Sequence, residues 1–314
     1  MNNRTIIFIL GPTSSGKTAV AEEFAKKIGG SIISCDSMQI YRDMDIITRA
    51  SSFEMDSDVP HCLTRFMSPE EEYNAAKFAN DAKKAIEDIA GVGRVPVVEG
   101  GTGLYVKALV DGIFPTPPAN KIFRKKLEQE AHERGPEFLH ARLGGVDPDT
   151  AKKLHINDVR RVIRALEIFE FTGRTPHEKS GETSGIGGSY DLRMFGMSLD
   201  RALLYGRINR TVDVMFDEGL LEEVRALLGR KLSETAQKAL GIKEISAFLE
   251  GKISLDKARE ELKKNTRRYA KRQLTWFRAD HRIEWVDADR APQKIAEEIA
   301  ERMAQGAWVE AEEN

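Results

Sequence analysis

The octapeptide Gly11-Pro12-Thr13-Ser14-Ser15-Gly16-Lys17-Thr18 fits G-x-x-x-x-G-K-[ST] and follows directly on the apolar run Ile6-Ile7-Phe8-Ile9-Leu10. The pattern is a phosphate cradle. Its glycines let the backbone curl until successive N–H groups point inward, and the helix that follows adds the partial positive charge of its N-terminus. Lys17 belongs against the outer phosphate and the Thr18 hydroxyl on Mg2+, so Gly11 to Thr18 form the expected diphosphate site and Thr18 the expected metal ligand. The motif specifies a polyphosphate and not the molecule that carries it.

Asp36 follows Ile32-Ile33-Ser34-Cys35, so a parallel sheet places it at the carboxyl end of a neighbouring strand, on the rim that carries the cradle. A carboxylate there is ionised near neutral pH and can take a proton from an acceptor substrate. An isolated Asp-Ser pair is more often a helix N-cap. Here Ser37, Met38, Gln39, Tyr41 and Arg42 add hydroxyls, an amide, an aromatic ring and a cation, a mixture suited to a planar heterocycle. Val97-Val98-Glu99-Gly100-Gly101-Thr102-Gly103-Leu104-Tyr105 is a further strand-to-loop turn for the same rim, with glycines that permit close backbone approach. Thr102 fits either orienting Asp36 or touching a ligand. Glu99 is either a Walker-B-like acid reaching Mg2+ through water or a structural strand-end carboxylate.

Cations fall in separate places. Arg207 and Arg210 read either as cations that neutralise charge on a leaving diphosphate, Arg207 as a catalytic group and Arg210 as a diphosphate contact, or as surface helix arginines. Arg160, Arg161 and Arg164, and upstream Arg124 with Lys125 and Lys126, read either as phosphate contacts or as solvated helix faces. Within Thr266-Arg267-Arg268-Tyr269-Ala270-Lys271-Arg272-Gln273-Leu274-Thr275-Trp276-Phe277-Arg278, helical spacing makes a core stripe of Ala270, Leu274 and Phe277. Arg267, Lys271 and Arg278 share another side, and Tyr269, Gln273 and Trp276 fall together. Cations flanked by aromatics and an amide are what an RNA backbone with unstacked bases needs. Lys271, Arg272, Gln273, Trp276 and Arg278 are therefore candidate RNA contacts.

The elements that must position these groups read as a parallel α/β core. Strand-like runs at 6–10, 31–35 and 95–98 alternate with helical stretches at 18–28 and 70–89. After Gly112, Pro115, Pro117 and Pro118 mark a linker, strand signals stop until about 191–199, and Gly185-Ile186-Gly187-Gly188 forms a joint. We therefore expect a P-loop parallel-sheet core made of 1–118 and 189–314, with a helical insertion at 119–188 that could move as a lid. A cap signal from Ser198 to Arg201 opens a helical tract to about Arg278, followed by a strand at 282–286 and a terminal helix.

Composition limits the alternatives. With 314 residues, 41% of them hydrophobic, the chain can bury a full core. A formal net charge of -2 means that a polyanionic partner must meet a local basic surface. Cys35 and Cys62 are too few for a disulfide framework, and six scattered histidines show no metal-ligand spacing. No window has the length of a membrane span or the pattern of a signal peptide, so a cytoplasmic protein, with a monomer as the expected state, is the reading. No nucleophile, base and orienter form a triad.

Taken in order, the motifs resemble those of bacterial tRNA dimethylallyltransferases, also called tRNA isopentenyltransferases. The likeness is carried by Gly-Pro-Thr-x-Ser-Gly-Lys-Thr, by Asp36-Ser37-Met38-Gln39-Ile40-Tyr41-Arg42-Asp43-Met44-Asp45-Ile46, and by Gly100-Gly101-Thr102-Gly103-Leu104-Tyr105. Asn157-Asp158 with Arg161 and Arg164-Ala165-Leu166-Glu167, then Ala270 to Arg278, complete it. The resemblance implies that the cradle holds the diphosphate of dimethylallyl diphosphate, with Mg2+. It implies transfer of the dimethylallyl group to N6 of the adenosine on the 3′ side of the anticodon, in tRNAs reading codons that begin with U. Asp36 carries over as the base and Thr102 as its support, with Ser37, Met38 and Gln39 beside the extruded base and Lys243 among the RNA contacts. Where that family usually has Asp-Ile-Gly-Thr-Ala-Lys, this chain has Asp45-Ile46-Ile47-Thr48-Arg49-Ala50, and the following Ser51-Ser52-Phe53-Glu54-Met55-Asp56 is also unusual. A histidine pair reads His61-Cys62, and a Gly-Tyr-Lys/Arg motif reads Gly241-Ile242-Lys243. A P-loop small-molecule kinase binding ATP, an RNA-binding NTPase switch and an adenine-nucleotide isopentenyltransferase remain the rival readings.

Overall fold

A computed structural model describes residues 5–50, 57–114, 116–179, 183 and 185–312, the last seven as backbone. The segment 51–56 and Pro115 lie outside the described residues. Two compact units emerge, one of 1–110 with 186–314 and one of 111–185. The smaller unit, 111–185, begins and ends ahead of the insertion expected at 119–188. Ile186 is the reason at its far end, since its side chain is buried in the core of the larger unit and its N–H bonds Leu109 O.

The larger unit holds a six-stranded sheet in the order β3-β2-β4-β1-β5-β6. Its strands are β1 Thr5–Leu10, β2 Gly30–Ser34, β3 His61–Cys62, β4 Val95–Gly100, β5 Asp191–Ser198 and β6 Ile283–Asp287, and every pairing is parallel. Because successive side chains of a strand point to opposite faces, Ile6, Phe8 and Leu10 enter one core and Ile7 and Ile9 the other. The second core is closed by helices Lys17–Ile28 and Pro292–Glu312. All six residues of β1 are buried, as a strand covered on both faces requires.

Several boundaries differ from the periodic pattern. The helix expected at 70–89 runs Ala75–Gly91, because Asn74 caps it by accepting from the N–H groups of Ala76 and Lys77. Asp200, and not Ser198, caps helix Arg201–Asp217, accepting from Ala202 and Leu203; Ser198 ends β5 instead. The two-residue β3 is too short to leave a periodic signal, and helix Gly103–Val110 starts inside the glycine turn. The smaller unit is helical, with its own core of Leu127, Leu139, Leu143, Val162 and Leu166.

Candidate active site at the carboxyl rim of the sheet

The P-loop leaves β1 between β4 and β5, and its shape depends on two positive backbone angles, φ 61 at Ser14 and φ 89 at Gly16. Glycine at 16 avoids the strain that a side chain would add. Gly16 precedes helix Lys17–Ile28, which has no side-chain cap and no acid in its first turn. Its N–H groups are left for an external acceptor. Lys17 is buried, with Nζ 3.9 Å from Glu99 Oε1, and the Thr18 hydroxyl donates to the same oxygen at 3.0 Å. The Ser15 hydroxyl is buried and has no hydrogen-bond partner among the described residues.

The turn after β4 fits against the loop after β2 because it has no side chains in the way. A Cβ on Gly100 would lie 2.2 Å from the Cys35 carbonyl oxygen. Thr102 N donates to that carbonyl, and Thr102 Oγ1 accepts from Ser37 N at 3.0 Å. Thr102 thus supports Asp36 through the adjoining residue. Asp36 itself accepts from Met38 N at 2.9 Å, which fixes the loop in an Asx turn. Burial pushes the Tyr269 phenol up and the Asp36 charge adds to this, against a hydrogen bond with Thr102.

Two cavities meet at this rim. One, of about 440 Å3, is lined by Gly16, Lys17, Thr18, Gln39, Arg207 and Arg210. The other, of about 320 Å3, has apolar walls from Met38, Ile47, Met215, Leu240 and Leu262, with Ser37, Tyr269 and Arg272 beside them. Thr13, Ser14, Asp36, Thr48, Arg49 and Thr211 line both. A cationic chamber floored by a phosphate loop therefore opens into an apolar one, and a carboxylate stands where they join. Arg207 is aimed at the loop, with Nη1 3.4 Å from Ser15 O and Nη2 3.2 Å from Asp289 Oδ1.

Some expected RNA contacts have other employment. Gln273 is buried; it accepts from Thr13 N and donates to Gly101 O, both at 2.9 Å. It ties the P-loop to the glycine turn, whereas the sequence pattern groups it with the expected RNA contacts. Arg124 and Arg164 belong to the 111–185 unit, where both bond the fully buried Glu167. Burial alone would raise the Glu167 carboxyl, but bonds from these two arginines and from Asn120 N hold it below the usual range. Arg160 and Arg161 are exposed on the same helix, Val159–Thr172, Arg161 pairing with Asp158. In the larger unit Lys243, Lys271, Arg272, Trp276 and Arg278 are exposed. Sequence reasoning passed over Thr48, Arg49, Thr211 and Met215 as lining residues. Only Arg49 left a trace, as a basic residue shifted by one place.

Against this geometry, the IPP transferase family model matches residues 39–280. This chain belongs to the IPP transferase family. An Isopentenyl transferase model also matches residues 4–59, which takes in the P-loop. A tRNA dimethylallyltransferase of Carboxydothermus hydrogenoformans is 46% identical over 94% of this chain and 96% of its own length. One from Geobacter sulfurreducens is 45% identical over 90% and 91%. Among solved structures, the full-length tRNA isopentenylpyrophosphate transferase of Bacillus halodurans is 38% identical, covers 99% of this chain and 100% of its own, and superposes with a TM-score of 0.70. A eukaryotic dimethylallyltransferase acting on tRNA is 30% identical, covering 91% of this chain and 74% of its own, with a TM-score of 0.74. The family's P-loop parallel-sheet fold is thus the fold of this IPP transferase. Among the described residues no helix is long and apolar enough to cross a membrane.

Proposed function

We propose that this IPP transferase moves the dimethylallyl group of dimethylallyl diphosphate to N6 of the adenosine 3′-adjacent to the anticodon, in tRNAs reading codons that begin with U. The observation that carries the reading is the position of Asp36, which lines both the cationic and the apolar cavity. An adenine amino group is a poor nucleophile because its lone pair is delocalised into the ring. It needs a base for its proton and a carbon made electrophilic by a stabilised leaving group. In this arrangement the N6 lone pair forms the bond to the allylic carbon, the carbon–oxygen bond to diphosphate breaks, and Asp36 takes the N6 proton. The P-loop N–H groups, Lys17, Arg207 and Arg210 receive the charge that develops on the departing diphosphate.

Mg2+ fits the same place. Thr18 and Glu99 offer hard oxygen donors side by side, and the Ser15 hydroxyl, partnerless among the described residues, lies in the same loop. Among the described residues there is no cluster of three His, Cys, Asp or Glu that could hold a metal, so the diphosphate would supply much of its coordination. When bound, the ion neutralises charge on the leaving group. The reading extends to a monomer that works in the cytoplasm, where unmodified tRNA is its substrate. The anticodon stem-loop must deliver its base unstacked into the apolar chamber.

The test incubates the protein with labelled dimethylallyl diphosphate and unmodified tRNA, beside reactions given ATP or AMP. Label in the RNA supports the reading. ADP formation without labelled RNA would favour a kinase, and preferential labelling of AMP an adenine-nucleotide enzyme; either outcome overturns it.

A further inference from the structure

One wall of the joined cavities is a segment too short to hold its own shape. Helix Asp45–Thr48 is four residues long, and its N-cap, Met44, makes no side-chain cap bond. A single turn is unfavourable on its own, and its first N–H groups have no partner within the helix. Glu223, on helix Leu220–Leu228, supplies both missing acceptors. Its Oε2 accepts from Ile46 N and its Oε1 from Ile47 N, each at 2.8 Å. Burial pushes the Glu223 carboxyl up and the Asp45 charge adds to this, while the bonds from Ile46 N and Ile47 N work against it.

What the clamp holds is part of the site. Thr48 and Arg49 line both cavities and Ile47 lines the apolar one. Arg49 ends the turn in the left-handed region, φ 59, with its guanidinium on Glu218. A non-glycine residue adopts that conformation at a cost, so it persists only where neighbours fix it. Gly241 closes the other side, since a Cβ there would lie 3.1 Å from Ile47 Cδ1.

We propose that Glu223 is a positioning residue for the transfer reaction, which by capping Ile46 and Ile47 sets Thr48 and Arg49 in the cavity wall facing the P-loop. The assignment rests on the proposed function only in giving the cationic chamber to a diphosphate. Its test is a double-variant cycle on the full chain, read by titration calorimetry with inorganic pyrophosphate in the presence of Mg2+. Glu223→Gln puts an amide donor where an acceptor is needed, and it should weaken pyrophosphate about tenfold while keeping the wild-type melting temperature. Arg49→Ala should weaken it too, and adding Glu223→Gln to Arg49→Ala should cost little more, because both act through one wall. Wild-type affinity in folded Glu223→Gln, or a fully additive loss in the double variant, overturns the proposal. Should Glu223→Gln not fold, Glu223→Asp, which keeps the charge and shortens the reach, takes its place with an expected loss of about threefold. Wild-type affinity there is equally fatal. A protein that shows the coupled loss yet transfers no prenyl group to RNA would retain the clamp and lose the proposed function; one that binds no pyrophosphate at all loses both.

Discussion

Arg124 and Arg164 in the insertion and Arg207 and Arg210 in the larger unit look alike in the sequence, each pair being cations on helices. Their surroundings differ. Glu167, with no exposed surface, receives the first pair, whereas Arg207 meets Asp289, whose side chain is about half exposed, and otherwise carbonyl oxygens near the P-loop. A fully buried carboxylate must be satisfied by cations and N–H groups, so it commits them to structure. An arginine held loosely over a phosphate loop keeps its charge for a ligand.

The strongest way to sharpen that contrast is at the group between the cavities. Asp36→Ala should lower the transfer rate by about 10²–10⁴, the usual worth of a positioned base, while RNA affinity measured by filter binding stays as in the wild type. Equal loss of both would make Asp36 a structural residue of its loop. Next comes Arg207→Ala, expected to reduce transfer about a hundredfold in single-turnover assays with little change in melting temperature. If instead the protein melts early and transfers normally, the contrast between the two pairs collapses.

Glu167→Gln attacks the other member of the comparison. It removes the charge that Arg124 and Arg164 share, and because both arginines are about a third exposed, water softens the loss to about 2 kcal/mol of stability in the insertion. Thermal unfolding measures it, with the donor KM unchanged. The acid dependence has a definite sign. Because its folded-state carboxyl is held below the usual range, Glu167 contributes stability above the ordinary carboxylate pKa and loses it as pH falls through its depressed value. Glu167→Gln should flatten that part of the acid-unfolding curve.

The same contrast explains what the sequence made legible. P-loop spacing, alternating strands and the residues of the Asp36 loop are local patterns, and local patterns carry through to the structure with small shifts at caps such as Asn74 and Asp200. Partnerships across long stretches of chain leave no such trace. Nothing in Leu220-Leu221-Glu222-Glu223-Val224 marks one acid out to cap Ile46 and Ile47, and nothing near Gly101 announces Gln273. The helical wheel grouped Gln273 with Tyr269 and Trp276 correctly by angle, but angle does not tell depth. Depth is set by the glycine turn that comes up against that face.

Gln273 and Trp276 offer the finest test of depth against angle, because they are neighbours on one face of helix Leu255–Arg278 and approach the same turn. A Cβ on Gly101 would lie 2.3 Å from Gln273 Nε2, and one on Gly103 would lie 2.2 Å from Trp276 Cδ1. Gln273 is buried between loops, while Trp276 leaves 40% of its surface open. Gln273→Ala should therefore act on the donor side, raising the KM for dimethylallyl diphosphate a few-fold, since Thr13 N and Gly101 O both lose their partner, at about 1–3 kcal/mol for groups left unsatisfied. Trp276→Ala should act on the RNA side, where an exposed ring available for stacking is worth about 1–3 kcal/mol at most, read as weaker anticodon stem-loop binding with the donor KM unchanged. If the two substitutions exchanged these effects, burial would be a poor guide to which substrate a residue on this helix serves.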